Sequence, residues 1–123
     1  MSINYELVKQ INVPTLEQIL NTIITLINPD KIILFGSYAR GDNHAKSDVD
    51  LLIMKKKIEN GGDVIDTVEM ALLKQNIGTD LSIVPVQTDR FYELKDVVGY
   101  VYHDVHREGK VLYETIYWMD GKS

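Results

Sequence analysis

The stretch Gly36-Ser37-Tyr38-Ala39-Arg40-Gly41, followed after a polar run by Ser47-Asp48-Val49-Asp50-Leu51, decides how the rest of this chain is read. Lys31-Ile32-Ile33-Leu34-Phe35 leads into it as a short apolar run, which predicts a buried strand ending at Gly36. Asp48 to Met54 predicts a second strand, carboxylates first and hydrophobes after. Side chains of a strand alternate faces, so Asp48 and Asp50 project from one face about 7 Å apart. At an effective dielectric of about 20, two such charges repel by roughly 2.4 kcal/mol. Only Arg40 and Lys46 lie close in sequence to offset them. A divalent cation is the better answer, because carboxylate oxygens are the ligands that Mg2+ prefers.

Outward from this segment, helical and strand patterns alternate. Pro14 and Thr15 open a helical pattern with Leu16, Ile19, Leu20, Ile23, Ile24 and Ile27 on one face, stopped by Asn28-Pro29-Asp30. Residues 37–47 are polar and glycine-flanked, with a helical turn at Tyr38-Ala39-Arg40. Lys55 to Gly62 reads as a basic, glycine-ended loop. A helix follows over about Asp63 to Gln75, with Ile65, Val68, Ala71 and Leu72 on one face and Gly78 near its exit. Asp80-Leu81-Ser82-Ile83-Val84 predicts a third strand that leaves the sheet at Pro85. Thr88-Asp89 can cap a last helical region in which Phe91, Leu94, Val98, Val101 and Val105 step by three and four, with Gly99 splitting it in two. Val111-Leu112-Tyr113 predicts a short final strand. The expected class is α/β or α+β, a small mixed β-sheet flanked by helices and a single domain over residues 1–123.

Topology then gathers the polar residues. If the first two strands pair antiparallel, Gly36-Ser37 at the end of one meets Asp48 at the start of the next. If the second and third pair in parallel through the intervening helix, Asp80 starts at the same edge, and the crossover is long enough for that connection. Glycine at 36 lets the backbone approach an anion closely. Ser37, opening a helical turn, offers its hydroxyl and exposed N–H groups to phosphate oxygens. A phosphate-binding turn beside an Asp-rich metal site describes two-metal phosphoryl or nucleotidyl transfer.

Composition narrows the field further. The chain has 123 residues and no cysteine, which excludes disulfides, thiolate metal sites and cysteine nucleophiles. Thirteen Lys and Arg against eighteen Asp and Glu give a net charge of −5, the wrong sign for nonspecific nucleic-acid or anionic-membrane binding. The amino terminus lacks the pattern of a secretory signal, and the apolar runs are far shorter than the ~20 residues of a membrane helix. A soluble cytoplasmic domain is expected.

The segment from Gly36-Ser37 through Asp48-Val49-Asp50 resembles the signature of the DNA polymerase β-like nucleotidyltransferase superfamily, without insertion in the spacing. More narrowly, the chain resembles the minimal nucleotidyltransferases, small members often encoded as antitoxins beside a HEPN-domain ribonuclease toxin. The likeness extends to the helix before the first strand, to Asp80, and to Arg107-Glu108-Gly109-Lys110-Val111-Leu112-Tyr113. The resemblance implies that Asp48 and Asp50 hold two Mg2+ ions and that Asp80 completes the catalytic metal site and can accept the proton of the attacking hydroxyl. It implies that Gly36 and Ser37 bind the β- and γ-phosphates of ATP, with Arg40 a weaker phosphate contact. In the antitoxin branch, AMP passes from ATP to a tyrosine of the toxin and silences its ribonuclease.

Blander readings stand beside these. A lone Gly-Ser is usually a turn, Thr79-Asp80 can simply start a strand after a turn, and Arg40 can serve as a counter-ion for Asp42. Lys55-Lys56-Lys57 reads as a solvated strand exit rather than an RNA contact. His103 and His106 flank Asp104 but lack a third ligand, so solvent exposure is the expectation. Tyr113, Tyr117 and Trp118 form an aromatic tail that either contacts a partner or packs back on the core. Two rivals to protein AMPylation are a small-molecule transferase of the aminoglycoside-modifying kind and a non-catalytic antitoxin that acts by occlusion.

Overall fold

Leu16, Ile19, Leu20, Ile23, Ile24 and Ile27, the stripe predicted from the helical spacing, are all buried on α2 (Leu16–Ile27). Asn28 ends that helix in the left-handed region, where its N–H bonds the Ile24 carbonyl, and Pro29 prevents continuation. The chain then enters the sheet. The structure, a computed structural model, describes residues 2–115.

Five strands order as β1-β5-β2-β3-β4. They are β1 (Ser2–Ile3), β2 (Lys31–Phe35), β3 (Val49–Lys55), β4 (Leu81–Gln87) and β5 (Lys110–Glu114). As expected, β2 pairs antiparallel with β3, matching Phe35 to Asp50, and β3 pairs parallel with β4, matching Val49 to Leu81. The helix between β3 and β4, α4 (Gly61–Lys74), starts two residues earlier than predicted because the Asn60 side chain caps the Gly62 N–H. It exits through Asn76 at positive φ rather than through Gly78.

Alternation on β3 divides the sheet into two cores. Val49, Leu51 and Ile53 face α2, α4 and α1 (Tyr5–Ile11), while Leu52 and Met54 face α5 (Thr88–Leu94) and α6 (Val101–Glu108). The second cluster is smaller: Ile33, Leu52, Met54, Val86, Phe91 and Val105.

Several expectations need correction. Pro85 does not end β4; the strand runs on to Gln87 and Pro85 pairs with Ile53. Because β4 is an edge strand, the missing proline N–H costs no ladder bond on its outer side. The split near Gly99 (φ 104) is present, but Val98 lies in the connection between α5 and α6 and is 81% exposed, not on an apolar face. Lys55 is no solvated lysine: it is part of β3 and its ammonium donates to the Ile27 carbonyl at the end of α2. His103 is half-buried with its Nδ1 at the Lys95 carbonyl, whereas His106 is exposed as expected. Tyr113 is buried in the main core; Tyr117 and Trp118 lie outside the described residues.

Neither α1 nor the two-residue β1 was foreseen. Asn4 caps α1 with its side chain at the Leu7 N–H, and its own N–H bonds the Leu112 carbonyl. Among the described residues no helix is long and apolar enough to cross a membrane.

Candidate active site

Asp50 is the residue around which the site is built. It sits in β3 directly across from Phe35, and alternation puts its side chain on the α5–α6 face with Leu52 and Met54. Asp50 is half-buried there, while Asp48, one residue before β3, is exposed.

Gly36 presses against Asp50. A Cβ at position 36 would collide with the Asp50 Oδ2 and stand 3.0 Å from its Cγ, and the backbone there has φ 73. Both facts demand glycine: the left-handed conformation and the close approach. The chain turns there from β2 directly into the short helix α3 (Gly36–Arg40), which closes at Gly41 with its N–H on the Ser37 carbonyl. The connection back to β3 is organised by its own polar groups. Ser47 Oγ accepts from the His44 N–H, and the His44 carbonyl accepts from the Ser47 N–H.

Ser82 went unremarked in the sequence. Parallel pairing sets it beside Asp50 on the same face, where its hydroxyl favours the charged form of the Asp50 carboxyl. The signal that could have found it is the spacing Asp80-Leu81-Ser82, which puts Ser82 two residues along the strand from a predicted site carboxylate.

Asp80 immediately precedes β4, and its carbonyl accepts the Val49 N–H at 2.9 Å, which sets its backbone beside Asp48. Its side chain is exposed. Among the described residues no three Asp, Glu or His side chains stand together as a cluster for a metal ion. The structure therefore brings together Gly36, Asp48 and Asp50, with Asp80 adjacent through its main chain.

Arg40 has two carboxylate partners. Its Nε donates to Asp42 at 3.1 Å and its Nη1 to Glu108 at 3.0 Å. Its charge also reaches Asp50. The predicted pairing with Asp42 is present, and Glu108 is a partner that sequence distance concealed.

Burial holds the Asp50 carboxyl above its usual pKa, and the charge of Asp48 adds to the effect; the Ser82 hydroxyl and then Arg40 oppose it. Two acidic groups on one face, one of them partly desolvated, form an oxygen-only donor set that suits a hard divalent cation. The residues fit Mg2+.

A Gly-Ser turn set against an Asp-x-Asp strand in a mixed five-stranded sheet defines a nucleotidyltransferase. The family model described as polymerase beta nucleotidyltransferase matches residues 17–116, and the chain belongs to that family. A Methanocaldococcus jannaschii protein described as a "putative protein adenylyltransferase" is 39% identical over 89 residues, 68% of this chain and 77% of the relative. Among solved structures, a chain of a toxin–antitoxin complex with AMP-PNP superposes with a TM-score of 0.58 at 19% identity, covering 86% of this chain and 77% of its own. A mutant of the toxin–antitoxin MntA-HpeT superposes equally well at 17% identity, with the same coverage. These two likenesses establish a common fold.

Proposed function

We propose that this chain transfers AMP from ATP to a hydroxyl of a partner protein, as the antitoxin of a two-component system. The acceptor in this reading is a tyrosine of a HEPN-domain ribonuclease toxin, silenced by the modification. The observation that supports this chemistry is the close approach of Gly36 to Asp50, which sets the Gly36–Ser37 turn against the acidic pair. Support for a protein acceptor comes from the relative that is 39% identical, and support for a toxin partner from the toxin–antitoxin complexes that share the fold.

In this reading Gly36 and Ser37 hold the β- and γ-phosphates through backbone N–H groups and the Ser37 hydroxyl, and Arg40 adds charge beside them. Asp48 and Asp50 would hold Mg2+ (two ions), with Asp80 as the further candidate ligand. When bound, the metal neutralises phosphate charge and makes the acceptor hydroxyl more acidic. Asp80 takes the acceptor proton as that oxygen bonds to the α-phosphorus. The bond from the α-phosphorus to the bridging oxygen breaks, and pyrophosphate leaves.

The test is the Asp48→Asn/Asp50→Asn double variant. It should keep the fold and lose transfer to the product of the adjacent gene. Transfer at the wild-type rate would refute the assignment. Complex formation and protection without any transfer by the wild type would favour occlusion, and transfer to small amines or alcohols alone would favour a small-molecule substrate.

A further inference from the structure

Arg107-Glu108-Gly109-Lys110 forms the corner between α6 and β5, and the transfer reaction assigns it no part. The corner is pressed tightly onto the sheet. A Cβ at Gly109 would meet the Val105 carbonyl oxygen and Cγ2 of Ile33, and the Gly109 N–H bonds that carbonyl at 2.7 Å. Lys110 then pairs with Leu34, two residues before Gly36. The corner is thus fixed at the same end of β2 as the Gly36–Ser37 turn.

Glu108 reaches across from this corner to Nη1 of Arg40, 68 positions away in the chain. Its side chain is only 22% exposed, against 62% for Asp42, the carboxylate on the Nε side of the same guanidinium. The fork is therefore held at two of its nitrogens, Nε by Asp42 and Nη1 by Glu108 of this corner, out of the five N–H donors it carries.

We propose that Glu108 is a positioning residue for the nucleotide: it holds Arg40 in the orientation in which the remaining guanidinium N–H groups receive the triphosphate. This rests on the reading of the site as a nucleoside triphosphate site. The physical ground is preorganisation. A half-exposed arginine loses much rotamer freedom when it grips a ligand, and a partner that has already fixed it lowers that cost. With the Arg40 side of the pair 46% exposed, the ion pair contributes little to folding itself, so a purely structural role leaves both stability and binding nearly unchanged on removal.

The experiment measures binding of a fluorescent ATP analogue with Mg2+ to the full chain, alongside melting temperature. The proteins are the wild type, Glu108→Ala, Glu108→Gln, Arg40→Ala and the Arg40→Ala/Glu108→Ala double variant. Glu108→Ala should weaken binding by up to about fivefold at nearly unchanged melting temperature, since about 1 kcal/mol corresponds to that factor. Glu108→Gln, which keeps the acceptor oxygen, should retain most of the affinity. In the Arg40→Ala background, Glu108→Ala should add nothing. Binding as tight as wild type or tighter in Glu108→Ala would overturn the proposal, because Glu108 would then compete with phosphate for the arginine. An equal loss in both backgrounds would overturn it as well. A wild type that fails to bind the analogue would instead overturn the nucleotide reading beneath it.

Discussion

Gly36 and Asp50 are in contact across β2 and β3, with no room at position 36 for any side chain beside the Asp50 carboxylate. In the proposed reaction, the turn that would approach the phosphates and the carboxylate that would bind the cation are thereby set by one packing contact. Gly36→Ala should damage both. The positive φ alone costs of the order of 1–3 kcal/mol for a non-glycine residue, and the collision displaces Asp50. Gly41 is the control: it has φ 85 but open space around its Cβ position. Gly41→Ala should share the backbone penalty in a melting experiment while keeping transfer, whereas Gly36→Ala should lose it. Equal activity in the two variants would contradict the contact's importance.

Asp50→Asn should stabilise the metal-free protein at neutral pH while abolishing transfer. The Asp50 pKa is raised in the folded state, chiefly by burial and then by Asp48. A group raised on folding contributes stability that is fully present below its unfolded pKa and is lost as pH rises through its folded pKa. Wild-type melting temperature should therefore fall relative to Asp50→Asn as pH rises through and above the carboxylate range, and added Mg2+ should narrow the gap. Parallel melting curves across that range would refute the shift.

Ser82→Ala removes the hydroxyl that stands beside Asp50 in the parallel register and favours its charged form. A hydrogen bond to a charged group is worth about 1.5 kcal/mol, so transfer should slow by roughly tenfold. Ser82→Thr, which keeps the hydroxyl, should recover most of that rate. Steady-state kinetics with varied Mg2+ decides it, and an unimpaired Ser82→Ala would show that Asp50 needs no such support.

Thr88→Val tests the opposite end of the sheet. The Thr88 hydroxyl donates to the buried carboxylate of Asp30 at 2.6 Å, next to the start of β2. Losing it leaves a buried acceptor without that donor, a cost of about 1–3 kcal/mol. Stability should fall while the transfer rate per folded molecule stays constant, because β2 carries the site roughly 16 Å away at its other end. A matching loss of specific activity would show that this end of the sheet couples to the chemistry.

The α2 stripe, the strand at Lys31–Phe35 and the Asp48–Asp50 spacing were legible because each is a local pattern of period 3.6 or 2. Asp50 could be read as a site residue because two like charges on one strand face need compensation. The seven-residue α1 was not legible, since a helix that short is decided by its cap and by tertiary contact rather than by periodicity. Pro85 misled because its effect depends on whether β4 is an edge strand, which is a property of the whole sheet. Ser82 and Glu108 were missed for a related reason. Each acquires its role from a partner distant in sequence, Asp50 for one and Arg40 for the other, and only the folded register brings them together.

The most direct test combines purified protein, Mg2+ and α-labelled ATP with the product of the adjacent gene, followed by intact mass. The account predicts that the partner gains mass in steps of one AMP, carries the label, and gains nothing with the Asp48→Asn/Asp50→Asn variant. An unlabelled partner of unchanged mass, or label transferred equally well by that variant, would contradict it.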